Sequence, residues 1–289
     1  MIELLQSSPA LWMTTVGVLS LLVGSFLNVV IHRLPQMMQA GWRQECHLLL
    51  ELPEAPAPSV SLLRPGSHCP GCQRPIAWYD NIPVVSYLLL RGRCRGCDQS
   101  ISLRYPLVEL LTAVLSVLVA WQLGFGLMGG AAIALTWGLV ALSGIDLDHQ
   151  LLPDSLTLPA LWAGLLLSVF GGWVSPADAI IGAAAGYLSL WLVFHAFRLL
   201  TGKEGMGHGD FKLLAVFGAW LGWDSLPLII LLSSVVGAVL GGVLMASGAL
   251  RRDQPMPFGP FIAAAGWIAM LWGDAIWQSY LSFAGLQTG

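Results

Sequence analysis

The sequence predicts an all-α membrane protein of about eight transmembrane helices, with a small cysteine-bearing loop domain between helices 1 and 2. Three observations lead there. Of the 289 residues, 56% are hydrophobic and only 10% charged, and the mean hydropathy is +0.74, a balance that a water-soluble surface could hardly supply. Several charge-free runs approach the roughly 20 apolar residues that a bilayer-spanning helix needs. All five cysteines are confined to one polar stretch. The formal net charge of -3 is uninformative by itself, and no nucleic-acid partner is expected.

The first span is expected at residues 10–31. Residues 1–10 carry Glu3 and no basic residue, unlike a removable signal peptide, so this helix is read as retained. The polar stretch 32–104 is a separate small domain, and residues 105–289 form a seven-helix domain. Its spans are expected at 105–123, 127–145, 156–174, 177–197, 211–223, 226–250 and 258–281. The span at 211–223 is short: at about 1.5 Å per residue it does not cross roughly 30 Å of hydrocarbon. Either the bilayer thins there or Asp210 is drawn below the headgroups.

Basic residues set the orientation. Arg33, Arg43, Arg64, Arg74, Arg91, Arg93, Arg95 and Arg104 lie between spans one and two; Arg198, Lys203 and Lys212 lie around the link from five to six; Arg251 and Arg252 lie between seven and eight. All 13 Lys and Arg thus share one side, the cytoplasmic one by the positive-inside rule, and both termini face outward. Trp12, Trp121, Trp173, Trp223 and Trp277 then suit an outer aromatic belt.

The polar loop contains "CPGC" (Cys69, Cys72) and "CRGC" (Cys94, Cys97), two C-x-x-C pairs 21 residues apart. Each pair offers two thiolates from one tight turn, and four such sulfurs complete a closed tetrahedral zinc site of zinc-ribbon type. Two disulfides or idle thiols are the alternative, which a reducing cytoplasmic loop disfavours. Cys46 and His68 fall outside the pattern.

A second informative stretch, "GIDLDHQLLPDSLTLP" (144–159), clusters Asp146, Asp148 and Asp154 directly after the third span. A carboxylate at a membrane boundary can simply be solvated. Asp146 stands out because it ends an uncharged run reaching back to Leu110, and because Asp210 occupies the matching edge of span six. An ionisable group within hydrocarbon costs about 2.5–3.5 kcal/mol and demands a partner or an aqueous cavity. Two carboxyls in contact share a proton, the arrangement by which aspartyl proteases activate water.

Asp210 closes "GMGHGD" (205–210), where Gly205, Gly207 and Gly209 would admit backbone conformations barred to other residues, letting a peptide approach or Asp210 swing. A plain flexible link is the competing reading. Lys212 tunes the pair or marks the helix edge. Glu109, early in span two, caps the helix or pairs with a loop arginine, and Ser25 and Asn28 share a helix face suited to interhelical hydrogen bonding. A proton-coupled transporter would need acids at mid-span, and the span centres hold none. A scaffold that anchors partners through the cysteine loop is a third possibility.

These residues resemble the type IV prepilin peptidases, leader peptidase/N-methyltransferases among the Gly-x-Gly-Asp membrane aspartyl proteases. The likeness runs through "GSFLNVVIHRLP" (24–35), the paired C-x-x-C loop, "IDLDHQLLPDSLTLP" (145–159), "GMGHGDFKLLAVFGAWLG" (205–222) and "PFGPFIA" (257–263). The resemblance implies an inner-membrane enzyme of bacteria, with periplasmic termini, that cuts the basic leader from prepilins and pseudopilins at the cytoplasmic face. It also implies N-methylation of the new first residue from S-adenosylmethionine. By motif, the catalytic pair is Asp146, seven residues before Pro153, and Asp210, with Gly207, Gly209 and Lys212 in support. Asp148 and Asp154 match further acidic positions, structural or substrate-contacting, and with Glu204 they are candidates for attracting a basic leader. The tetracysteine loop marks the longer, bifunctional form. The sequence assigns neither residues for the methyl donor nor an oligomeric state.

Overall fold

The computed structural model describes residues 2–53, 60–203, 205–248 and 256–285. Glu204, Arg251 and Arg252 lie outside the described residues. The chain is helical: α1 (Ile2–Ser7), α2 (Pro9–Leu49), α3 (Val85–Leu89), α4 (Arg104–Leu123), α5 (Leu127–His149), α6 (Asp154–Val169), α7 (Pro176–Thr201), α8 (His208–Leu221), α9 (Leu226–Ala246) and α10 (Gly259–Phe283). Among the described residues, six helical stretches are long and apolar enough to cross a membrane; α6, with 16 residues, and α8, with 14, are shorter.

The starts are written locally. Ser8 caps α2 by accepting from the Leu11 N–H, and Ser175 caps α7 by accepting from the Asp178 N–H, each followed by a proline in the first turn. One boundary departs from expectation. His32, Arg33 and Pro35 look like the end of the first span, yet α2 continues 18 residues past Ile31, with Pro35 inside it. Polar residues end a hydrophobic run without ending a helix, and burial of Arg33 and Pro35 holds the helix through the proline.

Two compact units divide the chain at Ala141 and Leu142, within α5. In the first, α2 packs along α4. The approach is close at Gly24, where a Cβ would lie 2.8 Å from the Glu109 backbone. Asn28 makes the expected interhelical bond, Nδ2 donating to the Tyr105 carbonyl at 3.2 Å. Trp137 of α5 donates its indole N–H to the hydroxyl oxygens of Ser20 and Ser116, at 3.2 and 3.0 Å.

In the second unit the short helix α8 is central, packed against α6, α7 and α10. Its residues 210–220 are all buried except Lys212. Small residues permit this: a Cβ on Gly182 would collide with the Gly218 carbonyl, and one on Gly186 would come within 2.7 Å of the Leu214 carbonyl. Trp220 anchors the other side, donating from Nε1 to the Ala160 carbonyl at 2.8 Å. A helix surrounded by protein has no lipid thickness to match, which accounts for its 14 residues.

Candidate active site

Asp146 lies in the last turns of α5 and Asp210 in the first turn of α8. They are 5% and 6% exposed, flanked by Ile145 and Phe211, both 0% exposed, so each carboxylate is set at the margin of a dry core. They are close enough for the charge of one to act on the other.

Both are served by helix N-termini, where unsatisfied N–H groups and the helix dipole favour negative charge. Asp210 is the third residue of its own helix. Asp146 accepts at Oδ2 from the backbone N–H of Gly259, the first residue of α10, at 2.9 Å. The next residue, Pro260, has no N–H to offer, so Gly259 supplies that donor alone of the two. Gly259 also has no room for a side chain, since a Cβ would lie 2.7 Å from Asp146 Oδ2 and 3.1 Å from Leu152 Cδ2. No role for Gly259 was read from the sequence. The available signal was a Gly-Pro helix start directly after a polar stretch.

Leu152 touches both sides of the site: it confronts Gly259, and a Cβ on Gly209 would lie 2.7 Å from its own Cβ. It follows Gln150, which at φ 53 adopts the left-handed conformation that turns the chain from α5 into α6. Pro153 is buried and caps α6. Asp148 is exposed. Asp154 pairs with Lys212, whose Nζ donates to Oδ1 and Oδ2 at 2.6 and 2.8 Å. Lys212 therefore ties α8 to α6.

In this conformation Gly205, Gly207 and Gly209 do not draw on the backbone freedom expected of them. None has positive φ, and Gly207, at φ -81, is an ordinary extended cap. Space is what matters at two of them: Gly209 against Leu152, and Gly205 against the Phe197 ring, 2.9 Å from a would-be Cβ. Among the described residues Glu109 neither caps α4 nor pairs with an arginine. Its Oε2 accepts from the Val84 N–H at 2.7 Å.

In the first unit the sulfurs of Cys69, Cys72, Cys94 and Cys97 all lie within 4.8 Å of one another. Cys69 and Cys97 are 3.7 Å apart, Cys72 and Cys94 4.0 Å. Two matching turns achieve this. Cys69 N–H donates to the Arg74 carbonyl and Cys94 N–H to that of Gln99, and the residue after each pair, Gln73 and Asp98, takes a left-handed φ of 59 and 54. The cluster can hold a metal. Tetrahedral coordination at Zn–S distances of about 2.3 Å puts sulfurs about 3.8 Å apart.

The N–H groups of Cys72 and Gly71 draw the Cys69 thiol down to about 6. The N–H of Gln99 favours the Cys97 thiolate, but burial and the three neighbouring sulfurs outweigh it and push Cys97 up to about 12. Four thiolates so placed require a cation to coexist. Cys46, exposed on α2, and His68, bonded through Nδ1 to the Gly66 carbonyl, stand outside the cluster.

The class these features define is a multi-pass membrane protein with a buried pair of carboxylates on separate helices and a four-cysteine loop. Residues 18–123 match the family described as Bacterial Peptidase A24 N-terminal domain, and residues 133–242 match the Type IV leader peptidase family. The chain is 57% identical over 286 residues to a prepilin leader peptidase/N-methyltransferase of Stutzerimonas stutzeri, with 99% of each chain covered. It is 54% identical to one of Pseudomonas aeruginosa, again over 99% of each. With the Neisseria gonorrhoeae relative the identity is 48% over 91% of each chain. No solved structure matches. The chain belongs to the prepilin leader peptidase/N-methyltransferase family.

Proposed function

We propose that the protein is a membrane aspartyl endopeptidase that removes the basic leader of prepilins and pseudopilins at the cytoplasmic face, with Asp146 and Asp210 as the catalytic pair. The observation that carries this reading is the burial of these two acids on separate helices, within electrostatic reach, each beside helix N-terminal donors. Two neighbouring carboxyls hold one proton between them. The ionised one takes a proton from water, whose oxygen attacks the scissile carbonyl carbon. The protonated one hydrogen-bonds the carbonyl oxygen. Collapse breaks the C–N bond, and a proton passes to the leaving amine nitrogen.

Eight helices, α2 and α4 to α10, cross or enter the membrane, α8 among its neighbours rather than in lipid. The basic residues share the cytoplasmic side and the termini are periplasmic. The functional division is the first helix at 1–31, the cysteine domain at 32–104 and the protease domain at 105–289. The cysteine domain holds structural Zn2+ on Cys69, Cys72, Cys94 and Cys97; donor type and spacing support zinc. Gly207 and Gly209 support Asp210, and Asp148 and Asp154 are the acids that attract a basic leader, Asp154 being engaged by Lys212 in the resting structure. The substrate's apolar helix stays in lipid while its leader meets the site.

The second activity is N-methylation of the exposed amine. S-adenosylmethionine supplies the methyl group when bound. Cleavage of a prepilin by the purified protein, read by N-terminal sequencing and product mass, tests both halves. The expected product starts immediately after the leader and, with methyl donor present, is heavier by one methyl group. An intact substrate would overturn the peptidase reading.

A further inference from the structure

The cysteine loop carries an apolar face that its own fold leaves uncovered. In α3, Val85, Leu88 and Leu89 fall at the i, i+3, i+4 spacing of one helix face, and all three are exposed, Leu88 at 68% and Leu89 at 78%. Ser86, on the other side, is buried and donates its hydroxyl to the Tyr79 carbonyl at 2.7 Å. A single 3-10 turn, Trp78–Asn81, packs against α3 and exposes Trp78 at 80%. Large apolar side chains clustered at a surface mark an interaction site.

What covers this face follows from where α3 is tied. The Val84 N–H, at the start of α3, donates to Glu109 Oε2 at 2.7 Å. Past the end of α3, the Gly92 carbonyl accepts from the Ile101 N–H at 2.8 Å, close before α4. Val84 adopts φ 61, which a β-branched residue seldom does, so its place is imposed by the contact with α4 and not by local preference. Helix α4 has 20 residues, Arg104–Leu123. At about 30 Å long, it is no longer than the hydrocarbon it has to cross. Glu109 stands about 7.5 Å along it from Arg104, beneath the headgroups. A backbone group bonded to Glu109 shares that depth.

The charge of the loop suits the same surroundings. Between residues 76 and 104, Arg91, Arg93, Arg95 and Arg104 stand against Asp80 and Asp98, and Asp80 is taken up by Arg95. Basic residues beside a membrane meet anionic headgroups, and tryptophan and tyrosine favour headgroup depth.

We propose that α3 and the turn before it lie in the cytoplasmic leaflet, with Trp78, Val85, Leu88 and Leu89 among the upper acyl chains and Arg91 and Arg93 against anionic headgroups. The occupant of the apolar face is lipid, and the cysteine domain is docked on the membrane rather than suspended in water. This inference rests on the membrane placement of α4 proposed above and gives the domain a second hold on the bilayer.

Spin-label depth measurements test it on the full-length protein, without substrate, in nanodiscs of phosphatidylethanolamine and phosphatidylglycerol. Labels are carried one at a time on p-acetylphenylalanine, which spares the cysteines, in place of Trp78, Leu89, Asp98 or Val114; Asp98 is exposed in the second cysteine turn and Val114 midway along α4. At Trp78 and Leu89 the ratio of collisions with oxygen to those with an aqueous nickel chelate is expected to be several-fold higher than at Asp98 and to approach that at Val114. Ratios at Trp78 and Leu89 equal to that at Asp98 would assign the face to a protein partner and overturn the proposal. A label at Val114 that reads as aqueous would instead reject the membrane placement of α4 on which it rests. Wild type provides a check without substitutions. A phospholipid with a diazirine on its acyl chain should, on irradiation, leave adducts on peptides from residues 76–90, and adducts confined to the long helices would equally overturn the docking.

Discussion

Gly259 and Asp146, 113 residues apart in sequence, meet through a single hydrogen bond: the glycine N–H donates to the carboxylate at 2.9 Å, and no Cβ fits between them. A helix start thereby holds one of the two acids in place. Gly259→Ala is expected to displace the carboxylate and slow leader cleavage by about 100-fold, as displacements near 1 Å do. Its metal content should match wild type. Single-turnover cleavage rates with elemental analysis check this, and an unimpaired variant would remove Gly259 from the positioning of Asp146.

Replacing Asp146 or Asp210 with Asn keeps the shape and removes the proton chemistry. Each change should lower cleavage by at least about 1,000-fold, within the range that acid–base catalysis contributes. The measurement is prepilin conversion by a variant whose elution from size exclusion matches wild type. Full retained cleavage in either would exclude that residue from the mechanism.

The Gly182–Gly218 contact makes a stability prediction. Gly218→Val would force α7 and α8 apart where their backbones touch, at an expected cost of about 1–3 kcal/mol or more. Thermal unfolding in detergent should show a lower Tm. Gly242→Val, at a site with nothing within 4 Å, is the control and should unfold like wild type.

Metal retention should fall with pH. The ligands bind as thiolates, so protons compete with the metal, and Cys97, pushed up to about 12 without one, must release its proton on binding. Affinity is therefore expected to be greatest at alkaline pH and to be lost as pH falls. Titration with a colorimetric chelator across pH reports it directly. Cys69→Ser or Cys97→Ser should drop zinc below about a quarter equivalent, against near one in wild type.

Much of the site was legible because its signals are chemical and local. Acids beside uncharged runs and paired C-x-x-C motifs show in sequence wherever they fold. The helix positions were legible too, since hydrocarbon length imposes itself on composition. The end of α2 was not, because the polar residues after Ile31 report where the apolar run stops and are silent on whether the helix does. Nor was the partner of Lys212, since its nearest acid in space, Asp154, is 58 residues away.

The amino-acid order by itself determined that this chain is a membrane protein and where its acids and paired cysteines stand along it, because solvation and donor type are properties of residues. Tertiary packing alone decided that Gly259 serves Asp146, that Gly209 is small for the sake of Leu152, that α8 lies enclosed despite its length, and that Glu109 holds Val84. Each of those is a distance between residues remote in the chain, and such distances exist only once helices have packed.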